Sequence, residues 1–159
     1  MSETIVKEDI ATIAKGLGKD VKKFEGKTIF LSGGGGFLGK FIVGTLCYLN
    51  DNILTKPCRI ISVDNYITGI PHPHFNYKGR DDVLEVWGDV TQPLPVRESI
   101  NYILHLAGLA SPVYYKKYPL ETIESAVHGV RHLLELARKN EKTMDGFLFF
   151  SSSEIYGDP

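Results

Sequence analysis

Apolar residues recur at Ile5, Val6, Ile10, Ile13 and Leu17 with charged residues between them, a near-helical period that predicts an amphipathic helix over residues 3–17. Gly16-Leu17-Gly18 punctuates its end. The short β-prone run at residues 28–32 predicts a strand that breaks into Gly33–Gly36 and then enters a helical pattern over 37–49, which Asn50-Asp51-Asn52 ends. A second apolar run predicts a strand at 59–63. Residues 65–82, with Gly69, Pro71, Pro73 and Gly79, read as a loop, and Val83–Trp87 alternates as a strand does. Tyr102–Leu106 reads as a buried strand ending at Ala107-Gly108. A loop through Ser111-Pro112 then leads to a long helical pattern over 119–139, with apolar positions Ile123, Val127, Val130, Leu133, Leu134 and Ala137. Gly146–Phe150 is the last strand. Strands alternating with helices predict an α/β fold: a doubly wound parallel sheet with right-handed crossovers. Residues 1–26 form an N-terminal helical extension and 27–159 the domain proper.

The junction of the first strand and its helix carries the clearest chemistry. The first amides of a helix have no partner inside it, and the helix dipole places partial positive charge there. Glycines remove the Cβ atoms that would hold a pyrophosphate away from those amides. Gly34, Gly36 and Gly39 fit G-x-G-x-x-G, and Gly33, Gly36 and Gly39 fit G-x-x-G-x-x-G equally well. Asp64 closes the second strand, 25 residues after Gly39. A dinucleotide fold places an acidic residue there to accept both ribose hydroxyls, whereas the blander role is a turn at Asp64-Asn65. No Arg follows Asp64 to greet a 2′-phosphate, which favours NAD over NADP.

Composition narrows the setting. At 159 residues the chain can bury a real core. A net charge of −1 gives no general pull toward nucleic acid or an anionic membrane surface. No apolar run approaches the length of a membrane span, and the charged N-terminus lacks the apolar stretch of a signal peptide. Cys47 and Cys58 are too few and too isolated for a disulfide framework, so a reducing cytoplasm is the expected compartment. His72 and His74, or His128 and His132, have the spacing of a metal pair, but nothing completes a ligand set. They are expected to be surface histidines, with no metal.

Gly33–Gly39, Val63–Gly69, Gly88-Asp89-Val90, His105–Gly108, Ala110-Ser111-Pro112 and Ser151–Gly157 occur together and in order. As a set they resemble the extended short-chain dehydrogenase/reductase family, the NAD-dependent epimerases, dehydratases and decarboxylases of nucleotide sugars. Ala110–Pro112, Tyr115, Pro119 and Ser152–Pro159 most resemble the UDP-glucuronate decarboxylase branch. The resemblance implies a Rossmann-type sheet and gives each position a role. Gly33, Gly36, Phe37, Leu38 and Gly39 would meet the pyrophosphate of NAD. Asp64, Asn65, Tyr66, Thr68 and Gly69 would hold the adenosine end. Asp89 and Val90 would border the adenine, and Leu106, Ala107 and Gly108 would line the path to the nicotinamide ribose. Ser152 would hydrogen-bond the sugar hydroxyl being oxidised, Glu154 would be a catalytic carboxylate, and Tyr115 would contact the sugar. Family dimers pair through the helix matching 119–139, so a homodimer is expected of the full-length protein.

The pattern also has departures. Removing hydride from a sugar carbon requires removing the hydroxyl proton, which in this family falls to a Tyr-x-x-x-Lys pair. No tyrosine here has a lysine four residues on, so the 159-residue chain alone is expected to be inactive. Ser153 stands where the dehydratases carry an Asp, which argues against dehydration. Glu121 stands where decarboxylases offer a Lys, and a carboxylate there would repel an acidic sugar. Ala126 replaces a usual Asn. The readings left open are a decarboxylase or 4-epimerase, a small-carbonyl reductase on the same scaffold, and a non-catalytic NAD-binding redox sensor.

Overall fold

The computed structural model describes residues 2–68 and 75–157, apart from the side chains of Ser153 and Glu154. Helix α1 (Glu3–Gly16) is capped by the Ser2 hydroxyl, which accepts from the Ile5 amide, and a 3-10 turn (Gly18–Phe24) comes after it. Strand β1 (Thr28–Ser32) leads into α2 (Phe37–Asn52), and β2 (Arg59–Asp64) and β3 (Val83–Trp87) come next. After β4 (Tyr102–His105) come the short α3 (Pro112–Lys117), α4 (Pro119–Glu124), a π-turn (Ser125–Gly129) and α5 (Val130–Lys139). Strand β5 (Gly146–Phe149) and a 3-10 turn (Ser153–Tyr156) close the described chain.

The five strands are all parallel, in the order β3-β2-β1-β4-β5. The chain reverses direction across the sheet between β1 and β4, and a crevice opens beyond the carboxyl ends of the strands at such a switch point. Side chains alternate across the sheet, so β1 feeds two cores. Ile29 and Leu31 pack with Ala14, Val21, Val43, Leu46 and Leu49 from α1, the first 3-10 turn and α2. Phe30 faces the other way, toward Ile61, Val63, Ile103 and Leu133. Helices therefore cover both faces, as the doubly wound prediction requires. Burial pushes the Cys47 thiol up to about 12 and the Cys58 thiol up to about 11, so both stay neutral.

Five local expectations are corrected. Helix α2 does not stop at Leu49 but runs to Asn52, because its polar tail is satisfied in place. Asn50 exchanges two 2.8 Å hydrogen bonds with the backbone of Cys58, and Arg80 grips Asp51 through two 2.8 Å bonds. The stretch after β4 is not all loop: Pro112 at the first helical position starts α3. The helical rod over 119–139 has the expected ends, yet its middle is a wide π-turn. His132 is not a free surface residue, since its Nδ1 lies 3.1 Å from the Val90 carbonyl. The expected apolar face of that rod also divides. Leu133 is buried against the sheet, while Ile123, Val127 and Leu134 are exposed.

Candidate cofactor site

Backbone geometry builds the first wall. Gly33 has φ +78°, a conformation side chains rarely adopt, and its amide bonds the Val63 carbonyl at 2.8 Å. The chain then folds back so tightly that a Cβ on Gly39 would lie 2.1 Å from the Gly33 carbonyl oxygen. At Gly36 the nearest obstacle is that same oxygen at 3.2 Å. Gly33 and Gly39 thus shape the turn, Gly34 is pressed as closely, since a Cβ there would strike the Ser62 hydroxyl, and Gly36 stands at the N-cap of α2. The amides of Phe37, Leu38 and Gly39 have no acceptor among the described residues. Their side chains do not enter the crevice: Phe37 stacks edge-on against Phe41 and Leu38 faces solvent.

Asp64 joins this turn to the end of β2. Its Oδ2 accepts from the Gly35 amide at 2.8 Å and its Oδ1 from the Tyr66 amide at 2.7 Å. Each carboxylate oxygen retains a lone pair, so the pinned group can still accept from a diol. Tyr66, at φ +55°, lays its ring over Gly35 rather than into the crevice. Asn65 donates to Asp89 Oδ2 at 3.1 Å, and the Thr91 amide donates to Asp89 Oδ1 at 2.8 Å. Desolvation pushes the Asp89 carboxyl up, but the hydrogen bonds from Thr91 and Asn65 outweigh it and hold the group below its ordinary value.

One crevice gathers Gly33, Gly36, Asp64, Asn65, Thr68, Asp89, Val90, Leu106, Ala107 and Gly108. These are ten of the residues singled out in the sequence. Phe37, Leu38 and Gly39 adjoin it through the backbone, as the residues after Gly36. Tyr115, on α3, and the exposed Ser152 do not line it. Gly69 and the Glu154 side chain lie outside the described residues. The sequence reading missed Thr91, Leu109, Glu124 and Ser125, which also line the crevice, while Glu121 enters as a wall residue. Glu121, Glu124 and Ser125 are spaced at i, i+3 and i+4, a polar face on an otherwise apolar helical pattern, and that periodicity was the available signal. No Lys, Arg or His lines the crevice among the described residues, and none of them forms a cluster able to hold a metal. No helix among them is long and apolar enough to cross a membrane.

This donor set fits a dinucleotide: free first-turn amides for a diphosphate, an open approach at Gly36, and a pinned carboxylate for a ribose. Known proteins with similar sequences and folds bear on the reading. UDP-glucuronic acid decarboxylase 5 of Arabidopsis thaliana is 36% identical over 139 residues, an overlap covering 82% of this chain and 35% of that protein. The chain thus spans about a third of the length of such curated relatives. The UDP-glucose 4-epimerase of Bifidobacterium longum, solved with NAD+ and UDP, superposes with a TM-score of 0.63 at 25% identity, over 83% of this chain and 39% of that one. The dTDP-glucose 4,6-dehydratase DesIV of Streptomyces venezuelae, solved with NAD, shares the fold at a TM-score of 0.69 and 20% identity, over 83% of this chain and 41% of that one. A model of the NAD dependent epimerase/dehydratase family matches residues 29–159, which is nearly everything after the N-terminal helix and the turn behind it. With its glycine turn, pinned carboxylate and switch-point crevice, the chain belongs to that family, and its cofactor is NAD.

Proposed function

We propose that this chain is the NAD-binding part of a nucleotide-sugar-modifying enzyme that oxidises its sugar transiently and then reduces it again, on the pattern of a UDP-glucuronate decarboxylase or a 4-epimerase. The observation that carries this reading is the 2.8 Å bond from the Gly35 amide to Asp64, which places a carboxylate beside the free amides of α2. In it, the amides of Phe37, Leu38 and Gly39 hold the diphosphate and Gly33 and Gly36 leave room for it. Asp64 takes the ribose diol, flanked by Asn65, Tyr66, Thr68 and Gly69. Asp89 and Val90 border the adenine, and Leu106, Ala107 and Gly108 line the way to the reacting end. When bound, NAD supplies a hydride acceptor and then a hydride donor. Ser152 orients the sugar hydroxyl, Glu154 supplies a carboxylate beside it, and Tyr115 contacts the sugar ring. The hydroxyl proton goes to a Tyr-Lys pair that this chain lacks, so the 159 residues alone bind NAD without turnover.

Between the two reactions, Glu121 in the crevice wall favours a sugar without a carboxylate, and so the epimerase pattern. The full-length protein is proposed to be a cytoplasmic homodimer, paired through the exposed stripe of Leu120, Ile123, Val127 and Leu134. Purified full-length protein incubated with NAD and either UDP-glucuronate or UDP-glucose tests the reading. Carbon dioxide release from the first assigns decarboxylation, and appearance of the 4-epimer from the second assigns epimerisation. Tight NAD binding with neither product would leave the redox-sensor reading.

A further inference from the structure

We propose that His105 is a positioning residue of the NAD crevice. Held as its Nε2–H tautomer by Ser32, it presents its remaining donor beneath the π-turn of residues 125–129. In this way it fixes the wall that carries Glu121, Glu124 and Ser125 over the floor at Leu106–Gly108.

His105 ends β4, in register with Ser32 on β1 and Phe149 on β5. It is 1% exposed, although nothing in the chemistry proposed above needs an imidazole there. Its Nδ1 lies 2.7 Å from Ser32 Oγ, and its ring rests on Phe149 at 5.5 Å. Ser32 Oγ in turn accepts from the Ala107 amide at 3.5 Å, so its hydroxyl proton is free to point at Nδ1. With the hydroxyl proton on that line, Nδ1 is the acceptor and the imidazole proton sits on Nε2. Nε2 is buried and has no hydrogen-bond partner among the described residues, which would be costly if it stayed so.

The π-turn packs over this edge of the ring. His105 sits under the π-turn: a Cβ on Gly129 would come within 3.6 Å of His105 Cε1 and 2.9 Å of Val90 Cγ2. Burial pushes the imidazolium pKa down, and the Ser125 backbone opposes it in part. The edge of a neutral ring, Cε1 with Nε2 next to it, therefore lies beneath the backbone at the point where the helix widens. A π-turn inserts one residue into a helix and rotates its N-terminal segment relative to its C-terminal one, and such turns concentrate at functional sites. Here the C-terminal segment is fixed by Leu133 in the core and by His132 on the Val90 carbonyl. The N-terminal segment carries the crevice-facing residues. His105 lies between the two and also reaches the crevice floor, through Ser32 and the Ala107 amide.

This inference rests on the crevice being the NAD site, and its test separates the two ideas. Long-range 1H–15N spectra of the full-length protein with labelled histidine, assigned by His105→Gln, read the tautomer directly. The expected result at neutral pH is a bare Nδ1 and a protonated Nε2, with Ser32→Ala mixing the two forms. His105→Phe keeps the ring volume and removes both nitrogens, and NAD affinity measured by calorimetry should fall at least tenfold. His105→Gln, whose amide nitrogen sits where Nε2 was, should recover part of that loss. A protonated Nδ1 in the wild type, an unchanged affinity in His105→Phe, or a Gln variant no better than the Phe variant would each overturn the proposal. If the Phe variant fails to fold, the tautomer and the behaviour of the Gln and Ser32→Ala proteins decide it. Wild-type protein that does not bind NAD would sink the parent reading and leave the tautomer measurement standing.

Discussion

The two walls of the crevice are built differently. On the β1–β2 side, Gly33, Gly35, Asp64 and Tyr66 are tied by hydrogen bonds of 2.7–2.8 Å between groups close in space and mostly in backbone. On the opposite side, Glu121 and Glu124 are exposed, have no hydrogen bond to the strand ends among the described residues, and stand where the register of a helix puts them. The first wall is over-determined: several constraints give the same geometry, and removing one disturbs the rest. The second is positioned at a distance by the packing of α5 and the π-turn. Changes in the first wall should therefore cost stability and affinity together, and changes in the second should be separable.

The largest effect should come from Gly39→Ala. Its Cβ would meet only backbone, the Gly33 oxygen at 2.1 Å and the Gly34 Cα at 2.7 Å, so no side chain can move aside. Thermal or denaturant unfolding should show a loss on the order of 3 kcal/mol, with NAD binding abolished. Asp64→Asn comes next. It keeps the volume but loses the charge that strengthens the bonds to a ribose diol, and calorimetry should show NAD affinity falling by about 1.5–3 kcal/mol. Gly36→Ala sharpens the contrast with Gly39. With 3.2 Å to the Gly33 carbonyl oxygen, a contact relieved by a shift of a few tenths of an ångström, it should cost about 1 kcal/mol in unfolding, well below Gly39→Ala, while its methyl group obstructs the diphosphate and weakens NAD roughly tenfold. Equal stability losses at 36 and 39 would break the distinction between a packing glycine and a ligand-facing one.

A smaller effect lies in the pH dependence of Asp89. Its folded carboxyl is held below the ordinary value on balance, desolvation opposing and the Thr91 and Asn65 hydrogen bonds prevailing. The unfolded chain therefore binds this proton first as pH falls. The stabilisation is fully present above the unfolded value, about 3.9, and is lost as pH falls through the lower folded one. Unfolding of wild type and Asp89→Asn should differ modestly at neutral pH and converge below about pH 4; a difference that persisted in acid would point to packing instead. Smallest of all, Glu121→Gln and Glu124→Gln should each change stability by less than about 0.5 kcal/mol. A large loss would show that the second wall is as tightly built as the first.

Legibility in the sequence ran along the same division. The tight turn over Gly33–Gly39 and the carboxylate that Asp64 sets beside it were readable because few residue types permit so close a backbone fold at a helix start. Which glycines are pressed by their neighbours was not readable, because it depends on φ at Gly33, on how closely residue 39 folds back on it and on the Ser62 side chain against Gly34. The polar triplet Asn50-Asp51-Asn52 reads as a helix breaker, and only its partners Cys58 and Arg80 keep it helical. The π-turn has no composition that marks it. It arises where Gly129 meets Val90 and His105, residues that come from two other parts of the chain.

The alternation of strands and helices, the glycine turn and the acidic end of β2 were all settled by the order of amino acids. They depend on patterns of a few residues whose local physics, side-chain period and glycine conformation, does not need the rest of the chain. Which helix face closes the crevice, and how a buried histidine sits beneath it, emerged only on folding. Those outcomes depend on how segments such as Ser32 and His105, 73 residues apart, come into register. Register between distant elements is fixed by the packing of the whole core, which no short window of sequence contains.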